Sequence, residues 1–221
     1  MPKITHLIYD FDGLLLNTEP IYRSVYEKIA QRYGKAVTPA LHRKIMGRQA
    51  IDCAQILIED LALPLTVQAH LELRNQLIFD RLPQAQPMPG AVALTQRFHA
   101  LGVQQAIATS SAEVTFKLKI QRYHDWLALF EVIVLGSDPA VKRSKPAPDS
   151  FLVAAQRLGA RPEQCLVFED SPAGVQAAKQ AGMSVVAVPA AYMDRALYHQ
   201  ADEVITQLAE FDPQRWQLPV V

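Results

Sequence analysis

The chain has 221 residues, of which half are hydrophobic and 20% are charged. This composition is typical of a folded globular protein and excludes an intrinsically disordered chain. The 22 Lys and Arg residues balance the 22 Asp and Glu residues, so no broad basic surface exists to bind nucleic acid or an anionic membrane. Any anionic ligand must therefore be bound at a local site.

The start of the chain and its cysteines bear on where the protein works. The first apolar stretch is interrupted at Asp10 and Asp12, too early for a secretory segment or a membrane-spanning helix. We therefore predict a cytoplasmic protein. Cys53 and Cys165 lie far apart and at no metal-ligand spacing, which favours burial as small hydrophobic residues over a disulfide or a zinc site.

The predicted elements begin with a short buried strand at residues 4–10, which ends at the polar residues 10–13. From about residue 20 to residue 82, apolar residues recur at helical spacing and no strand pattern interrupts them. Proline residues between positions 83 and 89, followed by Gly90, end this block. The block is therefore predicted to be all-helical.

Beyond residue 90, predicted helices and strands alternate. The helices are predicted at residues 91–101, 114–123, 150–158 and 173–181, and the strands at residues 103–108, 132–135, 165–168, 184–188 and 203–205. This alternation is typical of a parallel sheet covered by helices. Because the first strand precedes the helical block, we predict a Rossmann-like α/β core, residues 1–16 and 84–221, with an inserted all-helical cap domain, residues 17–83.

Reactive side chains follow several of the predicted strands. In an open parallel sheet, ligands bind beyond the carboxyl ends of the strands, so these side chains are expected to meet at one edge. They are Asp10 and Asp12, then Thr109, Ser110 and Ser111, then Lys145, and finally Glu169 and Asp170. Each loop taken alone is ordinary turn or helix-cap chemistry. Together, the carboxylates would repel one another unless a cation joined them.

The residue types at this edge indicate a metal and a phosphate. Magnesium takes oxygen ligands and keeps several waters, so carboxylates with a substrate phosphate suit it better than they suit zinc or copper. Asp10 and Asp170 are the first choices as metal ligands. The Thr109 hydroxyl and the backbone amides after it are suited to phosphate oxygens, and Lys145 would add a positive charge.

These residues resemble the motifs of a known superfamily. Asp10-Phe11-Asp12-Gly13 with Thr18-Glu19, the strand-end Thr109, Lys145 before a proline, and Glu169-Asp170 look like the four motifs of the haloacid dehalogenase-like superfamily. The resemblance spans nearly the whole chain. The helical insertion resembles the small cap of the β-phosphoglucomutase-like branch, and residues 6–10, 45–47 and 134–139 look most like the pseudouridine-5′-phosphatase group.

The resemblance implies a magnesium-dependent phosphatase that hydrolyses a small phosphomonoester, such as pseudouridine 5′-phosphate or a sugar phosphate. It implies that Asp10 is the nucleophile, forming an aspartyl-phosphate, that Asp12 is the general acid and then the general base, and that Lys145 neutralises the phosphate. The implied metal ligands are Asp10, Asp12 through its backbone carbonyl, Glu169 and Asp170. The implied phosphate ligands are Thr109, Ser110, Ser111 and Lys145.

The cap carries weaker predictions. Arg48 follows Gly47 in a loop that could face the site, which makes it a candidate substrate ligand, with a solvated arginine as the alternative. Asn17 stands where relatives commonly have an acidic residue, and the simpler interpretation is that Asn17 or Thr18 caps the first cap helix. A monomer is predicted, since no feature of the sequence calls for a partner chain.

Other functions stay open at this stage. The nearest alternative is a phosphosugar mutase, which would use the same aspartyl-phosphate, but Tyr22 stands where mutase relatives place a histidine. A haloacid dehalogenase would lack Asp12, and a receiver-type signalling domain carries its phosphoacceptor after a central strand and needs no cap. A catalytically silent binding protein would be expected to have lost one of the motif residues.

Overall fold

A six-stranded parallel sheet forms the centre of the protein, with the strand order β3-β2-β1-β4-β5-β6. The structure, a computed structural model, describes residues 3–220, so residues 1, 2 and 221 of the predicted core lie outside the described part of the chain. The strands are β1 (His6–Tyr9), β2 (Gln104–Ala108), β3 (Val132–Val134), β4 (Cys165–Glu169), β5 (Ser184–Ala187) and β6 (Glu203–Val204). The predicted Rossmann-like α/β class is confirmed.

Helices precede and connect these strands. In chain order the α-helices of residues 3–220 are α1 (Glu19–Gln31), α2 (Pro39–Ile45), α3 (Ala50–Leu61), α4 (Val67–Ile78), α5 (Ala91–Ala100), α6 (Glu113–Lys119), α7 (His124–Leu127), α8 (Asp149–Leu158) and α9 (Pro172–Gln180). Within this part of the chain, no helix has the length and apolar character that crossing a membrane requires.

β1 is the strand from which the sheet grows in both directions. Leu7 lies opposite Gln105 of β2 on one side and opposite Leu166 of β4 on the other. After β3 the chain crosses back to β4, which lies on the other side of β1. The direction in which strands are added to the sheet therefore reverses between β1 and β4. In sheets of this kind, a crevice for ligands opens beyond the carboxyl ends of the strands at this point. Asp10 and Asp170 directly follow these two strands.

Both faces of the sheet are covered, because alternate residues of each strand point to opposite sides. Leu7 and Tyr9 lie in a hydrophobic cluster with Phe98 of α5 and Phe116 of α6. The intervening Ile8 lies in a second cluster, which α8 and α9 contribute to on the other face. This double burial explains why the strands read as continuous apolar runs in the sequence.

Helices α1 to α4 lie between β1 and β2 in the chain and pack mainly on one another. Tyr26 of α1 joins Leu41 and Ile45 of α2 and Leu57 of α3 in one buried cluster. A second cluster links α1 to the end of α4. The all-helical character of residues 17–83 agrees with the sequence, whereas their status as a separate domain stays a prediction.

The two segments that join the helical block to the sheet run side by side. The N–H of Asn17 donates to the carbonyl of Gln86 at 2.8 Å, and the N–H of Met88 donates to the carbonyl of Leu15 at 2.8 Å. A β-bridge between Leu16 and Pro87 lies between these two hydrogen bonds. These two connecting segments are therefore hydrogen-bonded to each other and do not run as independent chains.

Most predicted element bounds are confirmed to within two residues, with one exception. The helix predicted at residues 114–123 ends at Lys119, and the short α7 begins at His124. The apolar residues Phe116, Ile120 and Tyr123 continue at helical spacing across this break, so the sequence pattern does not reveal it. Cys53 and Cys165 are both buried, as predicted.

Candidate active site

Asp10 and Lys145 meet at the carboxyl edge of the sheet. Asp10 follows β1, and its N–H donates to the carbonyl of Phe168 in β4, which fixes its backbone beside that strand. The Lys145 Nζ donates to Asp10 Oδ1 at 2.5 Å and to Glu169 Oε1 at 2.7 Å. It also donates to the carbonyl of Ala108 at the end of β2. Lys145 is 1% exposed, so these contacts are shielded from water.

Three buried carboxylates gather around this lysine. Asp10, Glu169 and Asp170 each offer an oxygen atom, and these atoms lie within 4.8 Å of one another. Among residues 3–220, Lys145 is the cation paired with this group, and it contacts Asp10 and Glu169 but not Asp170. Negative charge therefore stays uncompensated at Asp170 when all three groups are ionised.

The pKa values at this cluster reflect that imbalance. Burial raises the pKa of Asp10 to about 7, against the opposing effect of Lys145. Burial, with the charges of Glu169 and Asp10, raises the pKa of Asp170 well above its usual range. Burial alone would lower the pKa of Lys145, but the two carboxylates beside it raise that pKa overall. An all-oxygen donor set with surplus negative charge fits Mg²⁺.

Two glycines make room for the carboxylates. A side-chain Cβ at Gly174 would lie 1.6 Å from Glu169 Oε1, and one at Gly13 would lie 2.2 Å from Asp170 Oδ2. Glu169 is also held by Ser171, whose N–H and hydroxyl donate to Oε2 at 2.7 and 2.9 Å. Both oxygens of Glu169 thus accept hydrogen bonds. Glu169 is therefore fixed in the position from which it contacts the Lys145 ammonium.

Asp12 lies in a separate network. The Nζ of Lys119 donates to its two carboxylate oxygens at 2.5 and 2.6 Å. The hydroxyls of Thr18, Ser111 and Thr109 also donate to it, at 2.6, 2.7 and 3.3 Å. Burial would raise the pKa of Asp12, but Lys119 and the hydroxyls of Thr18 and Ser111 lower it overall. Asp12 and Asp10, two residues apart, therefore have pKa values shifted in opposite directions.

The structure corrects one prediction and adds one residue. Thr18 occupies the N-cap position of α1, as predicted, but its side chain makes no capping hydrogen bond and is directed to Asp12 instead. Lys119 was missed by sequence analysis. It is 0% exposed on the face of α6 that also carries Thr115 and Phe116. A lysine on this otherwise uncharged helix face is the sequence feature that could have identified it.

A cavity of about 440 Å³ lies between the sheet edge and the helical segment. From the sheet side it is lined by Asp10, Asp12, Thr109, Ser110, Ser111 and Asp170, and from the helical side by residues that include Tyr22, Tyr26, Arg48 and Arg74. The Nε of Arg48, in the loop between α2 and α3, donates to the carbonyl of Lys44 near the end of α2 at 2.9 Å, and Arg48 also lines the cavity. The predicted site residues of the core thus converge, and Arg48 faces them across the cavity.

Side chains join the helical segment to the sheet around the cavity. The Ser110 hydroxyl donates to the carbonyl of Gly47 at 2.8 Å, and the Gln49 side chain donates to the carbonyl of Gly136 at 2.8 Å. The Ser144 hydroxyl donates to Asp52. The loop around Gly47 is therefore docked on the sheet edge, and it closes one side of the cavity.

Comparison with known proteins agrees with this geometry. The family described as haloacid dehalogenase-like hydrolase matches residues 7–188, from β1 to the residue after β5. The chain belongs to this family, and its relatives place it among the family's phosphatases of small phosphorylated metabolites. The predicted superfamily and the enzyme class, a phosphoric monoester hydrolase, are confirmed.

Individual relatives cover almost all of the chain. It is 42% identical over 222 residues to (DL)-glycerol-3-phosphatase 1, mitochondrial, of Arabidopsis thaliana, covering 98% of this chain and 74% of the relative. It is 40% identical over 220 residues to a probable pseudouridine-5′-phosphatase of Drosophila melanogaster, covering 98% and 95%. The crystal structure of β-phosphoglucomutase from Clostridium difficile superposes with a TM-score of 0.79 at 19% identity, covering 97% and 96%, which shows a shared fold.

Proposed function

We propose that this protein is a Mg²⁺-dependent phosphatase that hydrolyses a small phosphomonoester through a phosphorylated Asp10. The observation that carries the proposal is that Asp10 and Asp170 lie together at the cavity wall, with Lys145 bonded to Asp10 directly behind it. A nucleophilic carboxylate needs a metal and a cation beside it, because the phosphate that it attacks is itself negatively charged. In this protein Lys145 supplies the cation, and the carboxylate oxygens form a site suited to the metal.

The residues divide the chemistry between them. In the first step a carboxylate oxygen of Asp10 attacks phosphorus, the bond from phosphorus to the ester oxygen breaks, and Asp12 gives a proton to the leaving oxygen. In the second step water attacks the aspartyl-phosphate, Asp12 takes a proton from that water, and inorganic phosphate leaves. Lys145 holds Asp10 in place and would add positive charge close to the transferred phosphate. A bound cation would lower the raised pKa of Asp10 and keep this nucleophile ionised.

Asp10, Asp170 and Glu169, with the backbone carbonyl of Asp12, would hold the metal. When bound, Mg²⁺ would neutralise phosphate oxygens as negative charge shifts during the transfer. Thr109, Ser110 and Ser111 are proposed to bind the phosphate, since they lie in the loop between β2 and α6 and line the cavity. Arg48 is proposed to touch the substrate from the opposite wall.

The proposed substrates are small phosphorylated metabolites such as glycerol 3-phosphate and pseudouridine 5′-phosphate. Relatives at 42% and 40% identity carry these two activities in their names, and a cavity of about 440 Å³ suits molecules of that size. A cytoplasmic location and a monomeric state stay predictions from the sequence.

Metal removal tests the proposal. Phosphate release from glycerol 3-phosphate and pseudouridine 5′-phosphate should stop in EDTA and return with added MgCl₂, because the carboxylate cluster would be left with Lys145 as its cation. The measurement is a colorimetric assay of free phosphate. Full activity in the chelator would rule out the metal requirement. Conversion of β-glucose 1-phosphate with a bisphosphate primer to glucose 6-phosphate, without net phosphate release, would favour the mutase instead.

A further inference from the structure

Arg74 is a buried arginine in the helical wall of the cavity. It lies on α4, is 5% exposed, and lines the same cavity as Asp10 and Asp12. Arginine stays protonated at any physiological pH, so this side chain brings a fixed positive charge to the wall of the cavity. Such a charge is costly to bury unless a partner compensates it.

The protein itself supplies only part of that compensation. One terminal nitrogen of Arg74 donates to the side-chain oxygen of Asn75 at 3.0 Å. Its Nε has no hydrogen-bond partner among residues 3–220. Burial would lower the pKa of Arg74, but Tyr26, which is also in hydrogen-bond contact with it, Tyr22 and Cys53 raise that pKa overall. Among residues 3–220, no Asp or Glu forms a salt bridge with Arg74. Arg74 therefore keeps an unused donor and an unpaired charge at the cavity wall.

Tyr22 shows which part of a substrate would reach Arg74. The Cζ of Arg74 lies 5.2 Å from the centre of the Tyr22 ring, and the Nζ of Lys119 also lies 5.2 Å from it. Lys119 in turn holds the carboxylate of Asp12. Arg74 and Lys119 thus both adjoin the Tyr22 ring, and Arg74 lies on the helical side of the cavity, whereas Asp10 lies on the sheet side.

We propose that Arg74 is a specificity-determining residue that binds an oxygen acceptor on the organic part of the substrate, remote from the transferred phosphate. This inference rests on the proposed phosphatase function and narrows its substrate class to phosphomonoesters with a second oxygen-bearing group. The guanidinium offers donors in a fixed planar fork, which matches a carboxylate or a pair of hydroxyls. A substrate without such a group would leave the buried charge unpaired.

Three phosphate esters of similar size test the proposal. Glycerol 3-phosphate carries hydroxyls, phosphoglycolate carries a carboxylate, and propyl phosphate carries no further acceptor. Arg74→Met, which removes the donors and the charge, should lower kcat/KM by about tenfold or more for at least one of the first two esters. Its kcat/KM for propyl phosphate should stay within about twofold of the wild-type value. Which of the two esters loses more tells a hydroxyl from a carboxylate ligand.

The controls separate specificity from folding. Arg32→Met replaces an exposed arginine at the end of α1 and should change none of the three values. Arg74→Lys, which keeps the charge but loses the fork, should show a smaller loss with the same substrate order. Equal losses for all three esters in both Arg74 variants, or no loss for any, would overturn the proposal. A wild-type protein inactive on all three esters would instead contradict the proposed phosphatase function.

Discussion

At the scale of single residues, two lysines of the site pair with different carboxylates. Lys145 holds Asp10 and Glu169, and Lys119 holds Asp12. Because the two networks are separate, the proposed nucleophile Asp10 and the proposed proton-transfer residue Asp12 have different hydrogen-bond partners although they stand two residues apart.

Lys119→Met tests the part that the second lysine plays. The substitution removes two hydrogen bonds from Asp12 and leaves its carboxylate misplaced, so we expect kcat to fall by about tenfold to a hundredfold with little change in KM. Stability should fall by about 3 kcal/mol, because one member of a buried ion pair is lost. Steady-state kinetics and thermal unfolding measure the two effects.

The neighbouring Lys117→Met serves as the matched control for that variant. Lys117 lies on the same helix, its side chain is 68% exposed, and it pairs with Glu113 at the surface. Exposed ion pairs of this kind contribute little to stability, so this variant should behave as the wild type. A Lys119→Met protein with unchanged kcat would show that Asp12 is positioned without it.

At the scale of elements, the junction between β4 and α9 positions Lys145, the proposed catalytic lysine, through Glu169. β4 ends at Glu169, Ser171 caps α9 by accepting the N–H of Gly174 at 3.0 Å, and the same serine donates to Glu169. Gly174 then lets the helix approach the carboxylate more closely than any side chain would allow. The turn is therefore a rigid support for the Glu169–Lys145 contact.

Gly174→Ala should disturb this support. The new methyl would overlap Glu169 Oε1, so Glu169 must move and Lys145 must lose one of its partners. We expect kcat/KM to fall by about a hundredfold or more, with a loss of stability of about 1–3 kcal/mol from the crowding. Gly159→Ala is the control for activity, because a Cβ there meets nothing within 4 Å and the site is untouched. Its φ of 70° is left-handed, so this variant should also lose about 1 kcal/mol of stability while its kcat/KM stays at the wild-type value. Equal activity in the two variants would contradict the role assigned to this turn.

At the scale of the whole molecule, much of the architecture could be predicted from the sequence. Doubly buried strands such as β1 leave continuous apolar runs, and the loops that follow them carry the motif residues, so the sheet and Asp10, Lys145 and Asp170 were accessible to sequence reasoning. The contacts across the molecule were not. Lys119 and Arg74 lie in helices, where most lysines and arginines face water, and only the packed fold brings Lys119 to Asp12 and Arg74 to the cavity.

The same limit applies to the relation between the helical segment and the sheet. The sequence indicates where the helical block begins and ends, but not that residues 15–17 pair with residues 86–88 or that Gly47 accepts a hydrogen bond from Ser110. These contacts join residues that are far apart in the chain, and no local pattern encodes them. They decide the shape of the cavity, and hence which substrates the enzyme would accept.

The central claim is that Asp10 itself becomes phosphorylated. The most direct test is to mix the enzyme and Mg²⁺ with a ³²P-labelled substrate, quench in acid within milliseconds, and locate the label by peptide mapping. We predict label on the peptide that contains Asp10, released by hydroxylamine as expected of an acyl phosphate, and no label in Asp10→Asn. Label on another residue, or wild-type turnover in Asp10→Asn, would contradict the account.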